Sequence, residues 1–523
     1  MSTHTTSTAT NAATNAARST VTTRDGAPDA TGTHVVTVDQ ATGKELARHP
    51  VAGPERVAAA VGAAAAVAEA WWDLGFEGRA AHLRAWRRDI ARGGEEIAAL
   101  IHAENGKSVE DGRAEVLAIL GHLTFVIDNA ERVLGRRDVA VPPTMAHQRA
   151  WVEYLPHGVV GVIGPWNFPL GTPGAIVVHA LAAGNAVILK PSELTPGVGE
   201  WLARSWARAV PDLPEVFQSL VGYAATGRAL VAAGVDKVAF TGSVRSGRAV
   251  AADCAPRLTP LLLELGGNDG VVVAEDADLD LAAAHITWGA LQNAGLGCIS
   301  LEVAYVVDAV HDALVARIAE LAGRVRAGSA DGDLIGPIPL PSQIPVVRRH
   351  VEDAIARGAT PLVGGPGPTD DRYVQPTVLV DVPADALAAT EETFGPVLSI
   401  VRVRDTDEAI SLINEGPYGL GSAVFSRERG EDIARRLRVG MTSVNDALAF
   451  SQVSGLPFGG RGDSGYGRKH GDEGLLEFVY PHAITVSEGP AAVPTTTFDR
   501  PPGAMAAALG ALTARLLAEE GQR

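Results

Sequence analysis

Cysteine and lysine are both scarce in this sequence. Only two cysteines, Cys254 and Cys298, occur in 523 residues, which is too few for a framework of disulfides. Neither a CxxC nor an HExxH pattern occurs, so we predict no metal site. Sparse thiols suit a reducing compartment, and we therefore expect a cytoplasmic protein. Lysine occurs only five times beside many arginines, so each lysine, Lys190 included, invites a specific explanation.

Long apolar runs and an excess of positive charge are missing as well. No run of 18 apolar residues occurs, which argues against a membrane-spanning helix. The net charge of −17 argues against nucleic acid and against anionic membrane surfaces as partners, because both require basic patches. Residues 1–33 are rich in Thr, Ala and Ser and contain no apolar segment of the signal-peptide kind, so we predict a disordered tail there.

Hydrophobic residues make up 46% of the chain, which over this length is enough for more than one core. Helical spacing predicts helices at 55–72, 78–104 and 101–133, followed by an extended arm at 139–154. Polar loops and helical segments then alternate with four β-rich runs, at 158–163, 186–189, 216–221 and 237–240. A second α/β region begins after residue 267. This order predicts an α/β fold with two doubly wound, Rossmann-like domains, in which ligands bind at the carboxyl ends of the strands.

Cys298 is the first candidate for chemistry. Glycines at 295 and 297 give its loop backbone freedom and leave space beside the sulfur, and a β-rich run at 303–307 would hold the loop in place. A substrate could reach a thiol in such a position. Taken alone, however, a free cysteine is more often a small buried hydrophobe than a nucleophile.

Glu264 and Asn167 are further candidates. Glu264 lies between Leu263 and Leu265 in an apolar strand, where an ionised carboxylate is costly. It must therefore face a polar cleft or have a raised pKa, and the second property suits a general base. The alternative is a glutamate at a strand end that pairs with an arginine. Asn167 stands beside proline, where a turn asparagine is common and requires no functional explanation.

Seven short motifs occur in a fixed order along the chain. They are PWNFP at 165–169, KPSE at 190–193, FTGS at 240–243, LELGG at 263–267, the cysteine loop at 295–298, EETFGPV at 391–397, and PFGG with SGYGR at 457–468. Single motifs of this size recur by chance, whereas seven in this order do not. Over roughly residues 34–489 the chain resembles the aldehyde dehydrogenase superfamily.

The resemblance implies a covalent mechanism. The thiolate of Cys298 would add to an aldehyde carbonyl, and the side-chain amide of Asn167 with the backbone N–H of Cys298 would stabilise the resulting oxyanion. Hydride would then pass to a nicotinamide and leave a thioester. Glu264 would activate the water that hydrolyses this thioester to a carboxylic acid.

The resemblance also implies a dinucleotide site, although the usual GxGxxG pattern does not occur. Gly242 and Ser243 would bind the pyrophosphate at the start of a helix. Lys190 and Glu193 would bind the adenosine ribose, and the charge of Glu193 would repel a 2′-phosphate, so NAD is expected rather than NADP. Glu392 would hold the nicotinamide ribose, whereas beside Glu391 it could also be an ordinary solvated acid.

The full set of cofactor-binding residues implied by the resemblance extends over several motifs. It consists of Ile163, Pro165, Trp166, Lys190, Ser192, Glu193, Gly222, Gly227, Phe240, Thr241, Gly242, Ser243, Leu265, Gly266, Glu392 and Phe394.

The resemblance further suggests a division into domains. The NAD-binding domain would consist of residues 34–138 and 157–266, and the catalytic domain of residues 267–475. Residues 139–156 and 476–489 would form a small β oligomerisation arm, with edges that pair between subunits, so a homodimer or homotetramer is expected. Residues 490–523 would be a linker and a short helix.

Four positions depart from the family pattern. Leu296 stands where the family usually has Gln, Val303 where it has Arg, Asn268 where it has Lys, and Ala175-Ile176 where it has a Trp-Lys pair. These changes leave the nucleophile, the base and Asn167 in place. A catalytically impaired family member is therefore an alternative to an active enzyme.

Small residues near the two reacting segments predict the substrate. Gly171, Thr172, Gly174, Ala175 and Gly297 would leave a wide apolar mouth, which suits a bulky hydrophobic or aromatic aldehyde. Phe450 and Trp288 could then stack on it. A succinate-semialdehyde-type enzyme is the second alternative, because CISLE and SVNDALAF are similar to a subgroup that includes such oxidisers. An enzyme that passes its acyl group to CoA is the third, although such relatives tend to lack the glutamate that matches Glu264.

Overall fold

Two large, mainly parallel sheets organise the protein, which a computed structural model describes over residues 32–330, 332–366, 372–491 and 497–520. The predicted α/β fold class is confirmed. Except for its last two positions, the predicted tail at 1–33 lies outside the described residues, as do parts of the predicted C-terminal linker.

The strands follow in chain order. They are β1 (His34–Val38), β2 (Glu45–Pro50), β3 (Arg137–Val139), β4 (Gln148–Pro156), β5 (Val159–Ile163), β6 (Ala186–Lys190), β7 (Phe217–Ser219), β8 (Lys237–Thr241), β9 (Leu261–Glu264), β10 (Asp269–Val273), β11 (Leu301–Val307), β12 (Thr360–Val363), β13 (Thr377–Val380), β14 (Val397–Val403), β15 (Ser422–Phe425), β16 (Ser443–Val444), β17 (Gly465–Tyr466) and β18 (Val479–Ser487).

The α-helices are interleaved with these strands. They are α1 (Pro54–Asp73), α2 (Gly75–Arg92), α3 (Gly94–Asn105), α4 (Val109–Leu134), α5 (Gly171–Ala182), α6 (Pro196–Ala209), α7 (Ala224–Ala232), α8 (Val244–Cys254), α9 (Leu279–Leu291), α10 (Asp308–Ala322), α11 (Ile344–Ala356), α12 (Leu387–Thr390), α13 (Thr406–Glu415), α14 (Gly430–Arg436), α15 (Ala449–Gln452), α16 (Gly471–Leu476) and α17 (Ala504–Glu520).

The first sheet has the strand order β17-β9-β8-β5-β6-β7, and only β17 runs antiparallel to its neighbour. Helices cover both faces. Val160 and Val162 pack into a core cluster that includes residues of α2 to α6, whereas Val159 and Ile163 pack into a cluster with α1, α7 and α8. Burial on both faces explains why the β-rich runs are continuously apolar rather than alternating.

The second sheet has the order β12-β13-β14-β11-β10-β15-β16 and is parallel except at β12. Its central strands are also largely buried on both faces, whereas the edge strand β12 is mostly exposed. Val303 and Tyr305 pack into one core cluster, and Ala304 and Val306 into the other. Because β9 ends at Glu264 and β10 begins at Asp269, a short connection joins the two sheets, and the site lies beside it.

The helical layer differs from the prediction at two glycines. One helix was predicted over 78–104, but Gly93 separates α2 from α3. A Cβ on Gly93 would lie 2.5 Å from Cζ2 of Trp201. The helix predicted from 101 to 133 is likewise divided, because Gly106 takes a left-handed conformation with φ of 88°. Both breaks depend on packing or backbone conformation that helical periodicity does not reveal.

The two segments of the predicted arm form a single three-stranded sheet of order β18-β4-β3. β18 pairs antiparallel with β4 along its whole length, from Val479 opposite Pro156 to Ser487 opposite Gln148. The expectation that both segments offer free edges is therefore wrong, because each covers an edge of the other. Pairing between subunits stays a prediction, with β18 as the exposed outer strand.

Two searches of the described residues gave negative results. No single described helix is long and apolar enough to cross a membrane; α1 and α2 meet that test only as a pair, and they are bent by 116°. No group of three or more His, Cys, Asp or Glu in the described residues could hold a metal ion. The short helix predicted near the C-terminus is α17, and its Leu509, Leu512 and Leu516 are exposed.

Candidate active site

A cavity of about 630 Å³ lies at the carboxyl ends of the first sheet and reaches the cysteine loop of the second α/β region. Cys298, Glu264 and Asn167 all line it. Of the predicted cofactor-binding residues, the same wall contains Ile163, Pro165, Trp166, Lys190, Ser192, Glu193, Gly227, Phe240, Thr241, Gly242, Ser243, Leu265, Gly266, Glu392 and Phe394. The fold therefore brings residues that are far apart in the sequence around one space.

Gly222 is the exception. It does not line this cavity, and a Cβ on it would lie 2.0 Å from Oγ1 of Thr226. Gly222 therefore packs closely in the turn before α7, and its role at the cofactor site stays a prediction.

The shape of the Cys298 loop depends on left-handed backbone conformations, which residues other than glycine rarely adopt. Asn293, Ala294 and Gly295 are successively left-handed, with φ of 48°, 55° and 67°. A Cβ on Gly295 would lie 2.0 Å from the carbonyl oxygen of Gly395, so this position requires glycine. Gly297 is different, because its φ is not positive; its N–H donates to Oγ of Ser300 at 3.1 Å. The loop leaves Cys298 half-buried on the cavity wall.

The electrostatic surroundings of Cys298 favour the neutral thiol. Burial raises the pKa of the Cys298 thiol to about 12. The carboxyl groups of Glu264, Asp269 and Glu392 act in the same direction, and Lys469 acts against them. The resting site therefore needs positive charge or hydrogen-bond donors to stabilise a thiolate.

Asn167 follows β5 and points its amide at the cysteine loop. Its Nδ2 donates to the carbonyl oxygen of Leu296 at 2.8 Å. A side-chain amide carries two N–H donors, so the other one is available to a ligand in the cavity. The backbone oxygen of Asn167 accepts from Nζ of Lys107 at 2.6 Å and from Nδ2 of Asn293 at 3.2 Å. These contacts fix the position of Asn167 relative to Cys298.

Lys107 and Glu115 belong to this support and were missed at the sequence level. Nζ of Lys107 donates to Oε1 of Glu115 at 2.7 Å, and Oε2 of Glu115 accepts the N–H groups of Leu170 and Gly171 at 2.9 and 2.8 Å. This buried ion pair holds the turn that carries Asn167. In the sequence, the only sign that Lys107 has a special role is the rarity of lysine, and this rarity does not reveal that Glu115 is its partner.

Leu296 and Val303, two of the departures from the family pattern, are buried in an apolar core cluster, and each is 1% exposed. The loop is held instead by the carbonyl group of Leu296, which accepts from Asn167. Losing the family's Gln and Arg at these positions therefore leaves no unpaired polar group there.

Glu264 ends β9 and is almost fully buried, with 2% exposure. Neither of its carboxylate oxygens has a hydrogen-bond partner among the described residues. Burial raises the pKa of Glu264 to about 8, while Lys469 and Arg468 lower it. A Cβ on Gly459 would lie 2.8 Å from Oε1 of Glu264, so glycine is needed where the chain passes this carboxyl group. Glu264 is therefore an acid without an arginine partner at hydrogen-bond distance, contrary to its alternative interpretation.

The features of a dinucleotide site line the other part of the cavity. Ser243 caps the N-terminus of α8, where it accepts from the N–H of Ser246 at 3.3 Å, and the helix start faces the cavity. Nζ of Lys190 lies 3.1 Å from Oε2 of Glu193. Arg228 and Arg245 also line this wall and were missed at the sequence level. First-turn N–H groups together with basic side chains suit a phosphate-bearing ligand.

The carboxyl group of Glu392 lies directly against the backbone of Gly266 and Gly267. Its Oε1 accepts the N–H of Gly267 at 3.0 Å, and burial raises its pKa to about 7. A Cβ on Gly266 would lie 2.1 Å from Oε2 of Glu392. Both oxygens of Glu302 accept backbone N–H groups, from Thr393 at 2.7 Å and from Phe394 at 2.9 Å. Glu302, another residue that the sequence reading missed, thus holds the segment that carries Glu392.

The expectation of a wide mouth beside PWNFP fails at two of its small residues, Gly174 and Ala175, which do not line the cavity. A Cβ on Gly174 would lie 2.6 Å from Cδ1 of Ile119, so α4 fills the space that the glycine leaves. Ala175 is fully buried, and Phe450 is 6% exposed within a core cluster. Trp288 is half-exposed and does not line the cavity that holds Cys298.

The comparisons with known proteins agree with this arrangement. The sequence model of the Aldehyde dehydrogenase family matches residues 27–484. A protein of Methylomonas sp named 4,4′-diapolycopene aldehyde oxidase is 37% identical over 454 residues, which is 86% of this chain and 85% of that protein. A Mycolicibacterium smegmatis protein, provisionally named an NADP(+) succinate-semialdehyde dehydrogenase, is 35% identical and covers 85% of this chain and 87% of its own length.

Solved structures are similar over the same region. The NAD-dependent aldehyde dehydrogenase of Sinorhizobium meliloti superposes with a TM-score of 0.84 at 31% identity, over 90% of this chain and 94% of that chain. With a family match over nearly the whole chain, and with relatives and structures that agree with it, the protein belongs to the aldehyde dehydrogenase family and is an NAD(P)-dependent enzyme.

Proposed function

We propose that the protein oxidises an apolar aldehyde to its carboxylic acid, with NAD as the oxidant, through a thiohemiacetal and a thioester on Cys298. The observation that carries this proposal is the single cavity shared by Cys298, Glu264, Asn167 and the predicted dinucleotide residues. The family match supports the reaction class.

The first half-reaction depends on Cys298 and Asn167. The Cys298 thiol first loses its proton to solvent, and the thiolate then adds to the aldehyde carbon, so that the carbonyl oxygen becomes an alkoxide. The free N–H of the Asn167 amide stabilises this negative charge, as does the backbone N–H of Cys298. A nicotinamide held by the predicted dinucleotide residues would supply the acceptor for the hydride, and the carbon that loses this hydride would become the thioester carbonyl. Asn167 can serve in this way because its other N–H is held by Leu296.

The second half-reaction depends on Glu264. Its carboxylate removes a proton from water, the water oxygen attacks the thioester, and the carbon–sulfur bond breaks to release the carboxylic acid. A carboxyl group whose pKa is about 8 is a stronger base than an ordinary glutamate, because burial disfavours its charged form. The two unpartnered oxygens of Glu264 leave it free to bind that water.

The preference for NAD rests on Glu193. Its carboxylate lines the cavity beside Lys190 and would repel a 2′-phosphate, although Arg228 and Arg245 provide positive charge on the same wall. We expect Glu193→Gln to raise kcat/KM for NADP relative to NAD by about tenfold, because one repulsive charge is removed. Steady-state kinetics with both dinucleotides measure this ratio. Glu391→Gln removes an exposed acid outside the cavity and should leave the ratio unchanged; a wild-type enzyme that already prefers NADP would contradict the assignment.

The charge around Cys298 favours a substrate without a carboxylate. The carboxyl groups of Glu264, Asp269 and Glu392 act on the thiol, and the negative charge that they carry when ionised would repel a second anion. The relative named 4,4′-diapolycopene aldehyde oxidase agrees with an apolar aldehyde. Because Gly174 and Ala175 are packed against neighbours, these positions do not widen the cavity for a large substrate.

A panel of aldehydes tests the substrate class. We expect kcat/KM for long apolar aldehydes to exceed that for succinate semialdehyde by at least about tenfold, because the acidic groups near Cys298 repel the carboxylate of succinate semialdehyde and do not repel an uncharged chain. NADH release is measured with and without CoA, and CoA should not accelerate it. A preference for succinate semialdehyde would instead support the second candidate function, which the name of the mycobacterial relative favours.

A further inference from the structure

Lys469 is a buried cation without an acidic partner. It is 2% exposed, and its ammonium group has no hydrogen bond or ion pair with any side chain in the part of the chain that the structure describes. Its Nζ lies 4.2 Å from the centroid of the Phe458 ring. A buried charge of this kind is costly, and a methionine would fill similar space without the cost. The ammonium group therefore requires a functional explanation.

The loop at 457–471 brings Lys469 to the catalytic groups. Phe458 and Lys469 exchange backbone hydrogen bonds of 2.7 and 2.9 Å. Gly459, the next residue, approaches Oε1 of Glu264, and Gly465 pairs with Glu264 across β17 and β9. Lys469 is thus held by main-chain contacts in a loop that packs directly on the general base.

Most of the ionisable groups that act on Cys298 are acidic. Glu264, Asp269 and Glu392 all raise the pKa of Cys298, and Lys469 is the cation that opposes them. For Glu264, Lys469 and Arg468 lower the pKa, whereas Glu477 raises it.

Three histidines also lie near Lys469. His122 of α4, His179 of α5 and His470 lie together, with 3.9 Å between the ring centroids of His122 and His470. Burial lowers the pKa of each of these histidines, and Lys469 lowers it further. Neutral imidazoles cannot balance the charge of Lys469, so its field acts on Cys298 and Glu264.

We propose that Lys469 is an electrostatic positioning residue, which supplies the fixed positive charge that stabilises the Cys298 thiolate and the Glu264 carboxylate. Its catalytic consequence rests on the proposed function, whereas its effect on the thiol does not. An opposite charge in a poorly solvated site stabilises an anion strongly, because little water screens it.

Alkylation of Cys298 tests the proposal without any turnover. The rate of iodoacetamide addition to the Cys298 peptide is followed by mass spectrometry from pH 6 to pH 10 in wild type, Lys469→Met and Lys469→Arg. We expect Lys469→Met to react about tenfold more slowly near pH 8, because loss of the charge raises the pKa of the thiol by about one unit. Lys469→Arg keeps the charge and should retain the wild-type profile.

A packing control separates charge from stability. Arg79 is another buried cation beside an aromatic ring, 1% exposed and outside the cavity. Arg79→Met should lower the unfolding temperature and leave the alkylation profile unchanged. If Lys469→Met also changes only the unfolding temperature, the proposal is wrong. Should Lys469→Met not fold, Lys469→Gln takes its place, and the same shift is required of it.

The pH dependence of kcat/KM extends the test to catalysis. The rising limb should move to higher pH in Lys469→Met and stay in place in Lys469→Arg. An enzyme that fails to oxidise aldehydes but shows the alkylation shift would contradict the proposed function and support the role of Lys469. An enzyme that oxidises aldehydes but shows neither shift would support the proposed function and contradict the role of Lys469.

Discussion

Cys298→Ala is expected to lower kcat for aldehyde oxidation on the order of 10⁴-fold or more, since no thiohemiacetal can form without the sulfur. The cavity wall otherwise keeps its shape, because only one half-buried side chain is shortened. Binding of NAD, measured by calorimetry, should therefore change little. Turnover is measured as NADH release under saturating aldehyde.

The second cysteine provides the matched control. Cys254 is 3% exposed in the core between α8 and the first sheet, and it does not line the cavity. Cys254→Ala should keep its activity and lose some stability, as expected for a small core truncation. Activity that survives in Cys298→Ala, or that is abolished in Cys254→Ala, would contradict the assignment of the nucleophile.

Glu264→Gln is expected to separate the two half-reactions. Hydride transfer does not require the base, so each enzyme molecule should release NADH once in a rapid burst. Hydrolysis of the thioester requires it, so the steady-state rate should fall by about 10²- to 10⁴-fold. Stopped-flow absorbance of NADH measures the burst amplitude and the later rate in the same trace.

The pH dependence of the wild-type enzyme follows from the same group. The pKa of Glu264 is raised to about 8, so the fraction of active carboxylate increases as the pH rises through that value. The deacylation rate should therefore rise toward pH 8 and level off above it. In Glu264→Gln this rise should disappear.

Glu104, a buried carboxyl group outside the cavity, provides a control for the loss of a buried acid in Glu264→Gln. Glu104 is 1% exposed, its pKa is raised by burial to about 7, and it accepts backbone N–H groups from Gly197 and Val198. It lies outside the cavity wall. Glu104→Gln should change the unfolding temperature without producing a burst followed by a stall. A burst in Glu104→Gln, or none in Glu264→Gln, would contradict the role of Glu264.

The sequence predicted the groups at strand ends well, for a physical reason. Motifs such as FTGS and LELGG follow buried strands, and the carboxyl ends of parallel strands meet at one edge of a sheet. The fold class and the family followed from these motifs. Local backbone pattern thus carried most of the information about Glu264 and Ser243.

Local sequence motifs could not predict contacts between segments that are distant in the chain. The glycine at 174 suggested open space, but Ile119 of another helix fills it. Lys107 supports the backbone of Asn167 from 60 positions away in the chain, and nothing near either residue indicates this. Gly222 was assigned to the cofactor by the resemblance alone, whereas its surroundings show a packing role. Which side chain fills a gap depends on tertiary packing, which neither periodicity nor spacing encodes.

The covalent intermediate is the central claim, and one measurement addresses it directly. Glu264→Gln is mixed with aldehyde and NAD, quenched in acid after the burst, and digested for mass spectrometry. The account predicts that the peptide containing Cys298 gains the mass of the acyl group, in an amount equal to the NADH released. An NADH burst without any acyl group on Cys298 would contradict it.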